Sequence, residues 1–416
     1  MNSPMRDNNN RDNSNNRNKR GIAPLRDFLA NESASGLLLM AAAALGLLAA
    51  NLPISNYYFD FLDLDFEIDF LGIYLSLTVL KVINYGLMTI FFFVVGLEIK
   101  RELTSGNLSK LRQAAAPFFA ALGGMLIPAL IYLLIAGGTA PEGWAVPVAT
   151  DIALAVGVLS LMGSRVTQGL KAFLLALAVI DDIGAILIIA IVYSTGVIFS
   201  WLLGAALAIV ATLALQKLNV MSKIVYVFVG LILWYSLYKA GLPPTLAGVI
   251  MGLLTPATAI STREESTDIE DGELTIVELL EARFHSLSSF FVVPIFAFAN
   301  AGVALSADAL NDALSSVIAW GIILGLVVGK PLGIFMVSKL ASKSGVAELP
   351  DQTSNRALIA TGSTAGIGFT VAIFIAKLAF EDPSNQDLAI TAVIAGSLIS
   401  GLLSLALFRT IKASTK

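Results

Sequence analysis

The 416-residue chain has no cysteine, a single histidine and few charges. Without cysteine there are no disulfides, no iron–sulfur clusters and no thiolate metal sites, although this absence does not identify the compartment. One histidine makes a histidine-based zinc centre untenable, and no motif calls for a cofactor. Charged residues make up 13% of the chain, about half of what a soluble globular protein carries. No basic patch interleaved with aromatics suggests a nucleic-acid partner. What is present is apolar: 56% of residues are hydrophobic and the mean hydropathy is +0.81. That excess is spread along nearly the whole sequence, so the chain reads as an all-α polytopic membrane protein embedded in a lipid bilayer.

Taking about 20 apolar residues per span, twelve transmembrane helices are expected. They lie near 35–51, 82–99, 114–136, 144–162, 170–194, 198–215, 224–238, 243–256, 284–304, 316–337, 356–379 and 387–408. The eighth is short enough to be a re-entrant segment instead. Cytoplasmic loops collect Lys and Arg, and the alternation supports both termini inside. Lys100, Arg101, Lys110, Arg112, Arg165, Lys171, Lys217, Lys223, Lys339 and Lys343 all fall on one side, while outer loops keep only Lys81 and Lys239. Residues 1–34, rich in Asn, read as a cytoplasmic tail rather than the charged cap of a cleavable signal. Residues 412–416 form a second short tail. Residues 258–278 read as an acidic cytoplasmic linker within a transporter domain spanning 35–411. The stretch FDFLDLDFEIDF at 59–70 largely alternates apolar with acidic residues, the period of a strand. It predicts a small extramembrane β-hairpin, against the plainer reading of an acidic loop.

Four charges fall where hydrocarbon is expected: Asp151, Asp181, Asp182 and Lys330. A carboxylate at mid-membrane costs about 2.5–3.5 kcal/mol on insertion scales, so such residues face a bundle interior or water and mark an ion or proton pathway. Asp181 and Asp182, in LALAVIDDIGAILIIAIVY, point about 100° apart on a helix. One of them faces an ion cavity while the other turns to a neighbouring helix, where Lys330 in LVVGKPLGI is the natural counter-charge. The alternative is that the pair is only a buried staple, a weak reading because such pairs often stabilise no better than packed apolar residues. Asp151 follows Thr150 in AVPVATDIALAVG, and Pro147 removes a helical hydrogen bond and frees a carbonyl. Carbonyls, a hydroxyl and a carboxylate are hard oxygen donors suited to Na+ or Li+. The Asp can also cap the half-helix that follows, a position that favours an anion. Gly362, Gly366 and Gly368 in TGSTAGIGFTVAI suggest a second broken helix, which would make helices 4 and 11 crossed and discontinuous within inverted repeats. Glu98 and Glu102 share a helix face, and Glu281 and His285 are placed to join them in a pH-regulating cluster; an interfacial anchor is the competing reading.

Several strings together closely resemble the NhaA-type sodium/proton antiporter family: GLMTIFFFVVGLEIKREL, LRQAAAPFFAALGGM, EGWAVPVATDIALAVGVLSLMGSRV, LALAVIDDIGA, TLAGVIMGLLTP, FAFANAGV, GKPLGI and GIGFTVAIFIA. They run in the family's order over roughly residues 82–379. The resemblance implies an inner-membrane, electrogenic exchanger of cytoplasmic Na+ or Li+ for external H+, not an enzyme. It implies ion binding by Asp151 and Asp182 with Thr150 alongside, pairing of Asp181 with Lys330, and a pH-sensing region that includes His285. It further implies a core of helices 114–194 and 316–408, an interface panel made of the rest, and a homodimer joined through the hairpin. Two departures bear on pH response: Tyr85 stands where some relatives have an acidic residue, and the region of Pro243 and Pro244 lacks a His that some relatives carry.

A site that binds a desolvated cation or protons, never both at once, needs buried carboxylates for which the two compete, and alternating access then moves whichever is bound. Net charge movement requires a second proton, carried either by Asp151 and Asp182 together or by Lys330 released from Asp181. Other classes fit less well. An intramembrane aspartyl protease would give Lys330 no role, a serine protease would need His285 away from a helix end, and a channel expects rings of acids from several subunits. A sodium-coupled solute symporter on the same fold is the remaining alternative.

Overall fold

A computed structural model of the chain describes residues 23–70, 73–109, 111–194, 196–220, 222–258, 275–350 and 353–411. The first helix, α1 (Ala23–Asn51), starts well before residue 35, so part of the expected tail is helical. The stretch LRDFLANESAS contains no glycine or proline to stop it. Residues 1–22 lie outside the described residues, as do the short tail 412–416 and most of the acidic linker. The linker's last residues instead begin a helix: Thr275 and Glu278 form a reciprocal capping box.

The hairpin is present but displaced. Residues Ser55–Leu62 form a short helix, α2, and the strands are β1 (Asp65–Phe70) and β2 (Ile73–Thr78), antiparallel with Asp65 opposite Thr78. The acidic alternation over 59–64 is overridden because Tyr58 and Leu62, one helical turn apart, are both buried. Tyr58 also donates its hydroxyl to the Phe298 carbonyl at 2.7 Å, which ties α2 to the bundle.

Among the described residues, ten helices are long and apolar enough to span a bilayer, or eleven if one bent pair is a single span. They include α3 (Val79–Thr104), α4 (Leu111–Ala136), the broken span Pro141–Leu161, α6 (Gln168–Val192), α7 (Phe199–Lys217) and α8 (Lys223–Ala240). The broken span comprises a 3-10 helix, Pro141–Val148, and α5 (Ile152–Leu161). The eighth expected span is only α9 (Leu246–Leu254), nine residues, or about 14 Å at 1.5 Å per residue. Pro243 and Pro244 precede it and Pro256 follows, so it cannot lengthen in either direction. It buries itself instead by close approach to α3: a Cβ on Gly252 would lie 2.9 Å from the Gly96 Cα.

The remaining elements are α10 (Ile276–Asn300), α11 (Ala307–Ser315), α12 (Val317–Lys343), α13 (Asn355–Ala365), α14 (Phe369–Ala379) and α15 (Pro383–Arg409). α13 and α14 are the bent pair, turned by 50° at their break. Both breaks expected from sequence therefore exist. Single π-turns interrupt α3 at Val82–Leu87, α10 at Ser288–Val292 and α12 at Gly325–Gly329. The last ends one residue before Lys330 and sets the register in which that side chain projects; such turns recur at functional sites.

Candidate functional site

The two breaks cross and satisfy one another. A helix end deep in a membrane leaves backbone donors and acceptors that no water can reach. The Asp151 N–H donates to the Ile367 carbonyl at 2.7 Å, and the Thr150 hydroxyl donates to the Ala365 carbonyl at 2.9 Å. In return, Asp151 Oδ2 accepts from the Thr370 hydroxyl at 2.6 Å and from the Thr370 N–H at 3.1 Å. Asp151 Oδ1 accepts from the Leu154 N–H at 3.1 Å, which makes Asp151 the N-cap of α5. Capping and a place in the site thus coincide in one residue, as its sequence position permitted.

The glycines of this region serve close approach rather than unusual backbone angles. Gly366 has an ordinary helical φ of −69°, but a Cβ there would fall 2.5 Å from the Leu326 carbonyl oxygen. Gly368 lies at the break against the Ala149 carbonyl, and Gly362 is inside α13, against Pro331. Pro147 closes the 3-10 helix just ahead of the break and packs against Gly325 of the α12 π-turn.

On α6, Asp181 and Asp182 diverge as helical geometry requires. Lys330 Nζ lies 2.5 Å from Asp181 Oδ2 and donates to the Thr150 hydroxyl oxygen at 2.7 Å; both side chains are fully buried. Asp181 Oδ1 has no hydrogen-bond partner among the described residues. Asp182 takes no part in this set. It lines a cavity of about 80 Å³ together with Thr150, Asp151 and Thr370, and the same cavity runs to Glu98, Arg101, Glu281 and His285. Among the described residues, no three His, Asp or Glu side chains converge as a metal cluster. Beside Asp182 the lining includes a second carboxylate, Asp151, and two hydroxyl-bearing side chains, Thr150 and Thr370.

At the far end of the cavity, Arg101 gathers the acids. Its guanidinium lies 2.7 Å from Glu281 and 3.5 Å from Glu102. His285 Nε2 and the Ser289 hydroxyl are 3.5 Å apart. Glu98, Glu281 and His285 thus meet in one lining, whereas Glu102 reaches the group through Arg101 and does not line the cavity.

Sequence reasoning missed Thr370, although it belongs to the quoted string GIGFTVAI. The signal was available by analogy: a threonine immediately precedes Asp151 at the first break, and Thr370 lies in the first turn after the second. Ser35 and Ser288, cavity-lining residues from α1 and α10, carried no comparable cue. Tyr85, the departure in α3, accepts the Trp234 indole N–H on its carbonyl at 3.0 Å.

Comparisons with known proteins identify the family. The family model for "Na+/H+ antiporter 1" matches residues 26–408. A Na(+)/H(+) antiporter NhaA from Shewanella sp. (strain MR-7) is 45% identical over 383 residues, covering 91% of this chain and 95% of the relative. The protein of that description from Shewanella oneidensis is also 45% identical over 383 residues, and one from Yersinia pseudotuberculosis serotype O:1b is 44% identical over 395 residues, 93% of this chain and 96% of its own length. With broken helices crossing beside buried aspartates and this agreement over nearly its whole length, the chain belongs to the NhaA-type sodium/proton antiporter family.

Proposed function

We propose that this secondary active transporter exchanges Na+ or Li+ for H+ at Asp151, Asp182 and Thr150. The observation that carries the assignment is the placement of Asp182. It faces the cavity beside Asp151, while the neighbouring Lys330 is already committed to Asp181 and Thr150. A cation entering from the Glu98 end meets carboxylate and hydroxyl oxygens that replace its water, and a proton entering there competes for the same oxygens. Alternating access, with the broken helices as the moving site, carries either species across the bacterial inner membrane, and a second proton makes the cycle electrogenic. Asp181 and Lys330 hold the site's geometry and are one of the two routes for that proton. Glu98, Glu102, Glu281 and His285, organised by Arg101, regulate entry with pH.

The finer architecture follows from the same reading. Counting α9 and the bent pair as spans gives twelve, with both termini cytoplasmic, and the helices bearing the two breaks belong to inverted repeats. The hairpin joins two copies: a two-stranded sheet leaves both edges unpaired, and Phe66 and Tyr74 are both about half exposed on it. The symporter alternative is disfavoured by the cavity itself, since about 80 Å³ is far below the roughly 300–1,000 Å³ of sites for organic ligands.

The test is exchange in proteoliposomes with an imposed pH gradient and an internal pH dye. Addition of Na+ or Li+ to the wild type is expected to collapse the gradient, and Asp182→Asn to abolish the response. A wild-type response that survives in Asp182→Asn would move the ion site elsewhere. The absence of any response to either ion between about pH 6.5 and 9, which brackets documented values for buried acids in proteins generally, would sink the antiporter reading.

A further inference from the structure

The second half of the bent α13–α14 pair begins without a cap of its own. Its N-cap residue is Gly368, which has no side chain to accept a hydrogen bond. The first intrahelical bond into this start is Ala372 N–H to the Gly368 carbonyl, so the donors ahead of it need partners from elsewhere. Thr370 N–H finds Asp151. Phe369 N–H finds the Ser397 hydroxyl of α15, at 3.1 Å. The two acceptors come from different helices and lie on adjacent N–H groups.

Ser397 is part of a stripe. Ser397, Ser400 and Ser404 follow helical spacing on α15, are all buried, and face the break. Ser404 exchanges a 2.6 Å hydrogen bond with Thr364 on the other side of the break, so α15 grips both halves. The middle member, Ser400, makes no hydrogen bond in the described structure, although its hydroxyl would lie 2.9 Å from a Cβ on Gly366. The stripe therefore holds two hydroxyls with an assigned partner at the break and one without.

We propose that Ser397 is a positioning residue for ion binding: by capping α14 from a neighbouring helix, it fixes the Thr370 N–H and hydroxyl that orient Asp151. It touches neither the cation nor Asp151, so it acts through Thr370. An alanine there would leave the Phe369 N–H without a partner where no water reaches, and the first turn of α14 would shift to relieve it. Asp151 Oδ2 would then lose its fixed donors, and ion binding would have to order the site first. This inference rests on the assignment of Asp151 to the ion site.

The experiment compares Ser397→Ala, Ser397→Thr and Ser400→Ala with wild type, each as full-length protein in proteoliposomes. Dye-reported exchange gives KM and maximal rate for Na+ and for Li+, and thermal unfolding is recorded in parallel. Ser397→Ala is expected to raise KM for both ions about fivefold, the scale of a lost helix cap, with the maximal rate nearly unchanged. Ser397→Thr keeps the hydroxyl and is expected to restore KM, and Ser400→Ala to match wild type. A wild-type KM in Ser397→Ala, even with a lowered melting temperature, would reduce Ser397 to a packing residue. Should the alanine variant not fold, Ser397→Cys, close in volume but a poor acceptor, is read in the same way. Asp182→Asn is run alongside: exchange surviving there overturns the ion site itself, whereas exchange lost there with an unaltered KM in Ser397→Ala overturns only the positioning role.

Discussion

Two close ion pairs flank the cavity, one behind its Thr150 wall and one within its lining, yet the pairs are physically different objects. Behind that wall, Lys330 and Asp181 are 2.5 Å apart with both side chains at 0% exposure. Near Glu98, Arg101 and Glu281 are 2.7 Å apart; the arginine keeps 35% of its side chain exposed, although the glutamate keeps only 12%. Contact distance alone would rank them equal. Burial separates them: a charge without water is tolerable only while its partner is present, whereas a charge that reaches water can be released at little cost. The Lys330–Asp181 pair is therefore the costlier of the two to break by removing one partner.

The largest test of this contrast is Lys330→Ala, which leaves the Asp181 carboxylate buried and uncompensated. Unfolding in detergent is expected to show a loss of about 3–5 kcal/mol. Removing both charges, in Lys330→Met with Asp181→Leu, is expected to recover most of that stability while abolishing any role of the pair in exchange. A lysine variant as stable as wild type would erase the difference between the two pairs.

Thr370→Val comes next. It removes the 2.6 Å hydroxyl bond to Asp151 but keeps the backbone N–H and the side-chain volume. A hydrogen bond to a charged group contributes about 1.5–3 kcal/mol, so KM for Na+ in the proteoliposome assay is expected to rise at least tenfold. An unchanged KM would mean that Asp151 is held well enough by its backbone partners alone.

Gly366→Ala sharpens the contrast from the side of packing. The added methyl meets the Leu326 carbonyl oxygen at 2.5 Å, and overpacking of this kind costs about 1–3 kcal/mol, measured by the same unfolding assay. The smallest effect is expected at the other pair. Arg101→Gln is expected to cost about 1 kcal/mol, the low end for a buried acceptor that loses its partner, because glutamine can still donate to Glu281, and to alter the pH dependence of exchange rather than the maximal rate. A loss of stability as large as that of Lys330→Ala would show that the two pairs are equally costly to break.

The parts of the molecule that were legible in the sequence share a cause. Asp181 and Lys330 are far apart in the chain, but each is a charge in an apolar run, and a single lysine at that depth leaves few choices of partner. Asp151 beside Thr150 and Pro147 announced its break because proline and a capping residue act locally. Where local pattern met tertiary packing, packing prevailed. The acidic alternation at 59–64 became α2 because Tyr58 and Leu62 found a bundle to bury against. The eighth span became the short α9, stopped by prolines and held by glycine contacts with α3.

The sequence by itself determined that the chain carries many helices apolar enough to cross a membrane, that four charges interrupt its apolar runs, and that two helices are interrupted. These are consequences of composition and of local backbone chemistry, which need no knowledge of neighbours. The residues alone left open which aspartate Lys330 takes, the family resemblance implied Asp181, and the structure has that pair; only the tertiary structure decided that Thr370 completes the hold on Asp151 and that Arg101 gathers Glu281 and Glu102. Those outcomes depend on two breaks crossing within hydrogen-bonding distance, and no spacing along one chain encodes the distance between two helices.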